Sequence, residues 1–161
     1  MTGLQETKLL CEKNGVLSND IQIFSCDVSS KNSILQGAVK ARRAYGPVTI
    51  LINNAGVVSG LNILELSDSM IDKTLQINTI SHLHTIKEFL PDMIAQKRGH
   101  IVTIASMAGL NGVPGLSDYC ASKFGAVAID ETVRLELQSK GLDKYVKTTC
   151  ICPYFINTGM F

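Results

Sequence analysis

The run Val48-Thr-Ile-Leu-Ile52 restricts the fold more than any other stretch of the chain, because it is continuous, of strand length, and passes straight into Asn53-Asn54-Ala55-Gly56. A strand without polar alternation is one buried on both faces, as in a parallel sheet. Parallel strands need long crossovers, usually helical. The rest of the sequence supplies them. Ile21–Cys26, His100–Ala105 and Lys147–Cys152 read as three further strands. Helices are expected over 4–14, stopped by Asn14-Gly15; over 31–45, broken by Gly46-Pro47; over 67–90, kinked or ended by Pro91; and over 118–139. The alternation predicts an α/β fold with a doubly wound parallel sheet, in one domain spanning 1–161.

Composition narrows the function classes. The chain has 161 residues, 45% apolar and 18% charged, with a net charge of +1 and no basic block, which excludes nucleic acid as the main partner. Its five cysteines (Cys11, Cys26, Cys120, Cys150, Cys152) are odd in number and lack metal-ligand spacing. Cys150 and Cys152 flank one residue of a strand and are expected to share a sheet face; all five read as buried thiols of a reducing compartment. No apolar run reaches the ~18 residues that span a bilayer. With no signal peptide visible, the chain reads as soluble and intracellular, without a membrane segment.

In such a sheet, ligands gather at the carboxyl ends of the strands. The unusual residues sit there: Asp27, then Asn53-Asn54-Ala55-Gly56, then Ser106, then Pro153 to Thr158. A loop with Gly109, Gly112, Pro114 and Gly115 follows Ser106, and a helix opens at Ser117 or Asp118. Tyr119 and Lys123, four residues apart, leave one face of that helix. An ammonium beside a phenol favours phenolate and lowers a pKa that starts near ~10. With Ser106 as a second hydroxyl, the set suits proton exchange with an alcohol or carbonyl oxygen. Plainer uses stay open. Tyr119 and Lys123 also suit a surface pair, Asp27 suits a turn or cap, Asn53-Asn54 suits a turn, and Asn78 in mid-helix suits a local backbone contact. His82, His84 and His100 read as packed or solvated rather than as metal ligands.

Asn53-Asn54-Ala55-Gly56, Asn78, Ser106, Tyr119-x-x-x-Lys123 and the Pro153 segment through Asn157-Thr158-Gly159 together resemble the short-chain dehydrogenase/reductase family, almost end to end. Asp118–Phe124 and Cys152–Phe161 more narrowly resemble its retinol and 17β-hydroxysteroid dehydrogenase branch, which is associated with the endoplasmic reticulum and lipid droplets. The resemblance implies a Rossmann-like fold, NAD or NADP as cofactor, and a lipophilic alcohol or ketone as substrate. Tyr119 would be the acid/base, Lys123 would depress its pKa and hold the nicotinamide ribose, and Ser106 would bind the substrate oxygen. Asn78 would orient the lysine and a relay water. Asp27 and Val28 would border the adenine, Asn53, Ala55 and Gly56 would line the cofactor, and Ile156 and Thr158 would face the nicotinamide amide.

The sequence departs from the family at both ends. The glycine-rich first βαβ unit and the last strand have no counterpart in it. Residues 21–26 are therefore expected to lack a strand neighbour, and 48–52 to form an exposed apolar edge. Weak dinucleotide binding by this chain on its own is the corresponding expectation. A catalytically silent, cytoplasmic chain that only binds partners, or a second copy through the 118–139 helix, is the alternative.

Overall fold

Each strand crossover is filled by helix, as parallel pairing requires. The computed structural model describes residues 3–157. Among them β1 (Ile50–Asn53), β2 (Gly99–Ile104) and β3 (Val146–Ile151) form one parallel sheet in chain order. Ile50 lies beside His100, and His100 beside Lys147. α1 (Gly3–Lys13) and α2 (Lys31–Tyr45) precede the sheet. α3 (Asp68–Leu75), a π-helical turn (Gln76–Ile80) and α4 (Ser81–Ala95) connect β1 to β2, and α5 (Ser117–Ser139) connects β2 to β3. Local signals set the ends of α2 and α3, whereas α5 opens after Leu116 without a side-chain cap, so neither Ser117 nor Asp118 serves as one. Ser30 and Ser67 accept from the N–H groups of Ser33 and Met70 to cap α2 and α3, and Gly46, at φ 76°, closes α2 with its N–H on Arg42 O.

The period of two along the strands decides which face is covered. Leu51, Asn53, Ile101, Thr103 and Val146 turn towards the helices, where Ile86, Met93, Ile101, Leu137 and Val146 form the core. Each such side chain contributes about 1.5–3 kcal/mol on burial. Gly99 permits the close approach of α4, since a Cβ there would lie 2.5 Å from Met93 Cβ. On the opposite face Ile50 is 60% and Ile52 58% exposed, so β1 is covered on one face and not on both as its apolar run predicts, although it is the edge strand expected.

Four further expectations need correction. Residues 21–26 are not a strand; no strand lies beside them among the described residues, so their backbone groups have no ladder to join. The helix expected over 67–90 is interrupted by the π turn. Nor does Pro91 end α4, which runs on to Ala95. Pro91 removes a donor to the Lys87 carbonyl, but both residues are exposed, and Phe89, Leu90, Met93 and Ile94 pin the flanking turns to the core. The buried-thiol reading fits Cys120, whereas Cys26 is exposed.

Candidate active site

The site is assembled where β1, β2 and β3 end. Ser106 lies just past β2 in extended backbone, and its hydroxyl accepts from Ala108 N at 3.1 Å, turning the chain into a short 3-10 turn over Met107–Gly109. That turn packs directly on α5. A Cβ on Gly109 would fall 2.7 Å from the Lys123 carbonyl oxygen, so only glycine allows this approach. The packing delivers Ser106 to Tyr119, where its hydroxyl works against the rise of the phenol's pKa. Ser106 and Tyr119 share a pocket whose walls include Ala108, Val113, Leu116, Pro153 and Phe155. Its far side is fixed by the Met107 N–H donating to the Pro153 carbonyl at 3.0 Å.

Tyr119 and Lys123 are both buried, 4% exposed each. The Lys123 ammonium sits 5.6 Å from the Tyr119 ring centre and donates to the Ile104 carbonyl at 2.8 Å. It thus lies over the ring face and is tied to the end of β2. The expected depression of the Tyr119 pKa is not what this arrangement gives. Burial pushes the phenol up, and the Ser106 hydroxyl opposes that only in part. Burial also pushes the Lys123 ammonium below its usual range, with Cys150 and Cys152 working against it. Desolvation is the dominant influence on both groups.

Asn78 lies in the π turn, completely buried. Its Oδ1 accepts from Val57 N at 2.8 Å, and its Nδ2 donates to Val57 O at 2.8 Å and to Ser122 Oγ at 3.0 Å. The plain use of a mid-helix asparagine is therefore present: it satisfies backbone. The backbone it satisfies is the loop after β1, which holds Gly56 against the lysine; a Cβ on Gly56 would lie 3.5 Å from Asn78 Oδ1 and 3.7 Å from Lys123 Nζ. Asn53 points into the core instead, where its Oδ1 accepts from Thr85 at 2.7 Å. Ala55 is exposed on the loop. Asp27 is exposed and closes an Asx turn, accepting from Ser29 N and Ser29 Oγ, which holds its carboxyl below the usual range. Val28 is half-buried in that turn, and Gln76 ties the turn to the π segment through Ser29 O at 3.2 Å. Ile156 is exposed beyond the pocket wall, and Thr158 lies outside the described residues.

One positioning residue was not anticipated. Asp118, buried beside Tyr119, accepts from Ser59 at 2.8 Å and Thr74 at 2.7 Å. It thereby joins the loop after β1, α3 and the start of α5. The signal available in the sequence was an acid in the first turn of a helix, which does not reveal partners 44 and 59 residues away.

Residues 2–161 match the profile of a family described as short chain dehydrogenase. The chain belongs to the short-chain dehydrogenase family. Among relatives in it, retinol dehydrogenase 10 of Xenopus tropicalis is 45% identical over 141 residues, covering 88% of this chain and 41% of that protein. Human epidermal retinol dehydrogenase 2 is 43% identical over 159 residues, covering 99% of this chain and 50% of that protein. The chain thus spans about half the length of the curated relatives it matches. A crystal structure of a short-chain dehydrogenase/reductase from Burkholderia phymatum in complex with NAD superposes with a TM-score of 0.87 at 31% identity, over 95% of this chain and 53% of that one. A metagenomic short-chain oxidoreductase in complex with NADP gives 0.83 at 28% identity, over 93% and 65%. No helix among the described residues is long and apolar enough to cross a membrane.

Proposed function

We propose that the site interconverts a lipophilic alcohol and its carbonyl with NAD or NADP, and that retinol-like alcohols are its substrate class, as the names of the relatives suggest. The observation that carries the reading is that Ser106 and Tyr119 line one largely apolar pocket. Two hydroxyls converging there suit one substrate oxygen, and Val113, Leu116 and Phe155 suit an apolar chain or ring. A nicotinamide cofactor would supply the hydride acceptor or donor. Lys123 Nζ and the Gly56 backbone, with the turn at Asp27 and Val28, would hold it. Gly56 borders both Asn78 and Lys123, and a Cβ there would just touch each of them, so the backbone at this point stays open to a bound group.

The chemistry assigned to the chain's own groups follows from the burial. Tyr119 keeps its proton at neutral pH and donates it to a carbonyl oxygen, while Ser106 donates a second hydrogen bond to that oxygen. In the opposite direction the phenol must first lose its proton, so alcohol oxidation is expected to accelerate as pH rises. A second copy docking on the exposed Ala121, Phe124 and Ala128 of α5, and membrane association at the endoplasmic reticulum or lipid droplets, belong to the same reading.

The second reading, a silent chain that binds partners, is favoured by the exposed Ile50 and Ile52 face. Titration with NADH and NADPH, read by nicotinamide fluorescence and repeated with all-trans-retinol present, separates the two. Weak saturable binding that responds to retinol supports the enzyme. Absence of binding at millimolar cofactor supports the silent chain.

A further inference from the structure

We infer that Cys150 and Cys152 form an oxidisable dithiol behind the pocket wall, a modification site that takes a small disulfide as co-reactant and closes to an intramolecular disulfide. The two Sγ atoms lie 3.9 Å apart, and both residues are half-buried, so they remain reachable. A disulfide needs the sulfurs ~2.05 Å apart, so the 3.9 Å gap must close by about 2 Å. Cα atoms two residues apart in a strand are about 6.6 Å apart. That falls within the upper part of the ~4.4–6.8 Å range that disulfides span, so part of the adjustment falls on the backbone.

The structure puts that adjustment where it is easiest. Ile151 is the last residue of β3, and its carbonyl accepts from Ala105 N at 2.8 Å. Cys152 lies just past it in irregular backbone, followed by Tyr154, Phe155 and Ile156, all more than half exposed. Cys150 stays fixed in the sheet while Cys152 moves. The reaction begins at Cys152, which lies in the looser backbone past β3, while burial, and then Cys152 itself, push the Cys150 thiol up. The Cys152 thiolate attacks one sulfur of the small disulfide, forming a mixed disulfide and releasing one small thiolate. Cys150 then gives its proton to solvent base and attacks Cys152 Sγ, releasing the second. The chain loses two electrons and two protons, and the co-reactant becomes two thiols.

The inference is independent of the proposed activity, and its test reads mass alone. The 161-residue chain is treated with glutathione disulfide and digested with trypsin; no Lys or Arg follows Lys147, so Thr148–Phe161 is one peptide containing both cysteines. The expected result is that this peptide loses two hydrogens and regains them on reduction, while exposed Cys26 gains a glutathione. Cys150→Ser should trap a glutathione on Cys152, and Cys152→Ser should leave Cys150 unmodified. An unmodified peptide alongside modified Cys26, or a peptide carrying stable glutathione adducts in the unsubstituted chain, would overturn the inference.

Discussion

The Asn78 side chain grips Val57 at both backbone ends, accepting from its N–H and donating to its C=O, each at 2.8 Å. One carboxamide thereby replaces a sheet partner for a loop residue that has none. The π turn widens the helix at that point, a deformation common at functional sites. Asn78→Ala would leave both Val57 backbone groups without a partner, while Ser122 would keep only its donation to the Tyr119 carbonyl. A loss of about 2–4 kcal/mol is expected, measurable by urea unfolding. Unchanged stability would show that water replaces the carboxamide.

Two glycines of the loop after Ser106 should behave oppositely. Gly109→Ala drives a methyl to within 2.7 Å of the Lys123 carbonyl oxygen, which is helix backbone and cannot yield, whereas a Cβ on Gly112 meets nothing within 4 Å. The first substitution should cost about 2 kcal/mol and disturb Ser106. The second should stay within about 0.5 kcal/mol of the unsubstituted chain. Thermal melts of the pair check both.

His82 gives a pH dependence of known sign. It is buried with neither ring nitrogen hydrogen-bonded, and burial, then Lys123, pushes its pKa down to about 4. The unfolded chain binds the proton nearer 6.5. Stability should therefore fall as pH drops below about 6.5 and level off near 4, by on the order of 3 kcal/mol in all. His82→Leu should flatten the curve in that window. An equally steep curve in the variant would assign the loss to other groups.

The sequence was most informative where chemistry is local. The four-residue step from Tyr119 to Lys123, the three later strands and the glycine stop of α2 are all properties of short segments, and they recur in the structure. What it could not show depends on partners far along the chain. Residues 21–26 have strand composition, but a strand exists only with a neighbour. Pro91 breaks helices on average, yet here its lost hydrogen bond faces water while the flanking apolar residues are anchored. Asp118 looks like an ordinary first-turn acid until Ser59 and Thr74 fold onto it. The direction of the Lys123 ammonium is also non-local, because it is set by the carbonyl of Ile104 at the end of β2.

Asp118 should act through position rather than contact. Asp118→Ala removes the acceptor shared by Ser59 and Thr74, and is expected to destabilise the chain by about 1–3 kcal/mol. Asp118→Asn, which keeps one accepting oxygen, should recover part of that loss. Equal losses in the two variants would mean that the charge, not the geometry, matters.

The most direct test is turnover of all-trans-retinol at high NAD or NADP concentration, compared with Tyr119→Phe and followed from neutral to alkaline pH. The account predicts slow oxidation that accelerates with pH and falls at least about 100-fold in the variant. Oxidation that persists unchanged in Tyr119→Phe, or none at any cofactor concentration, would contradict it.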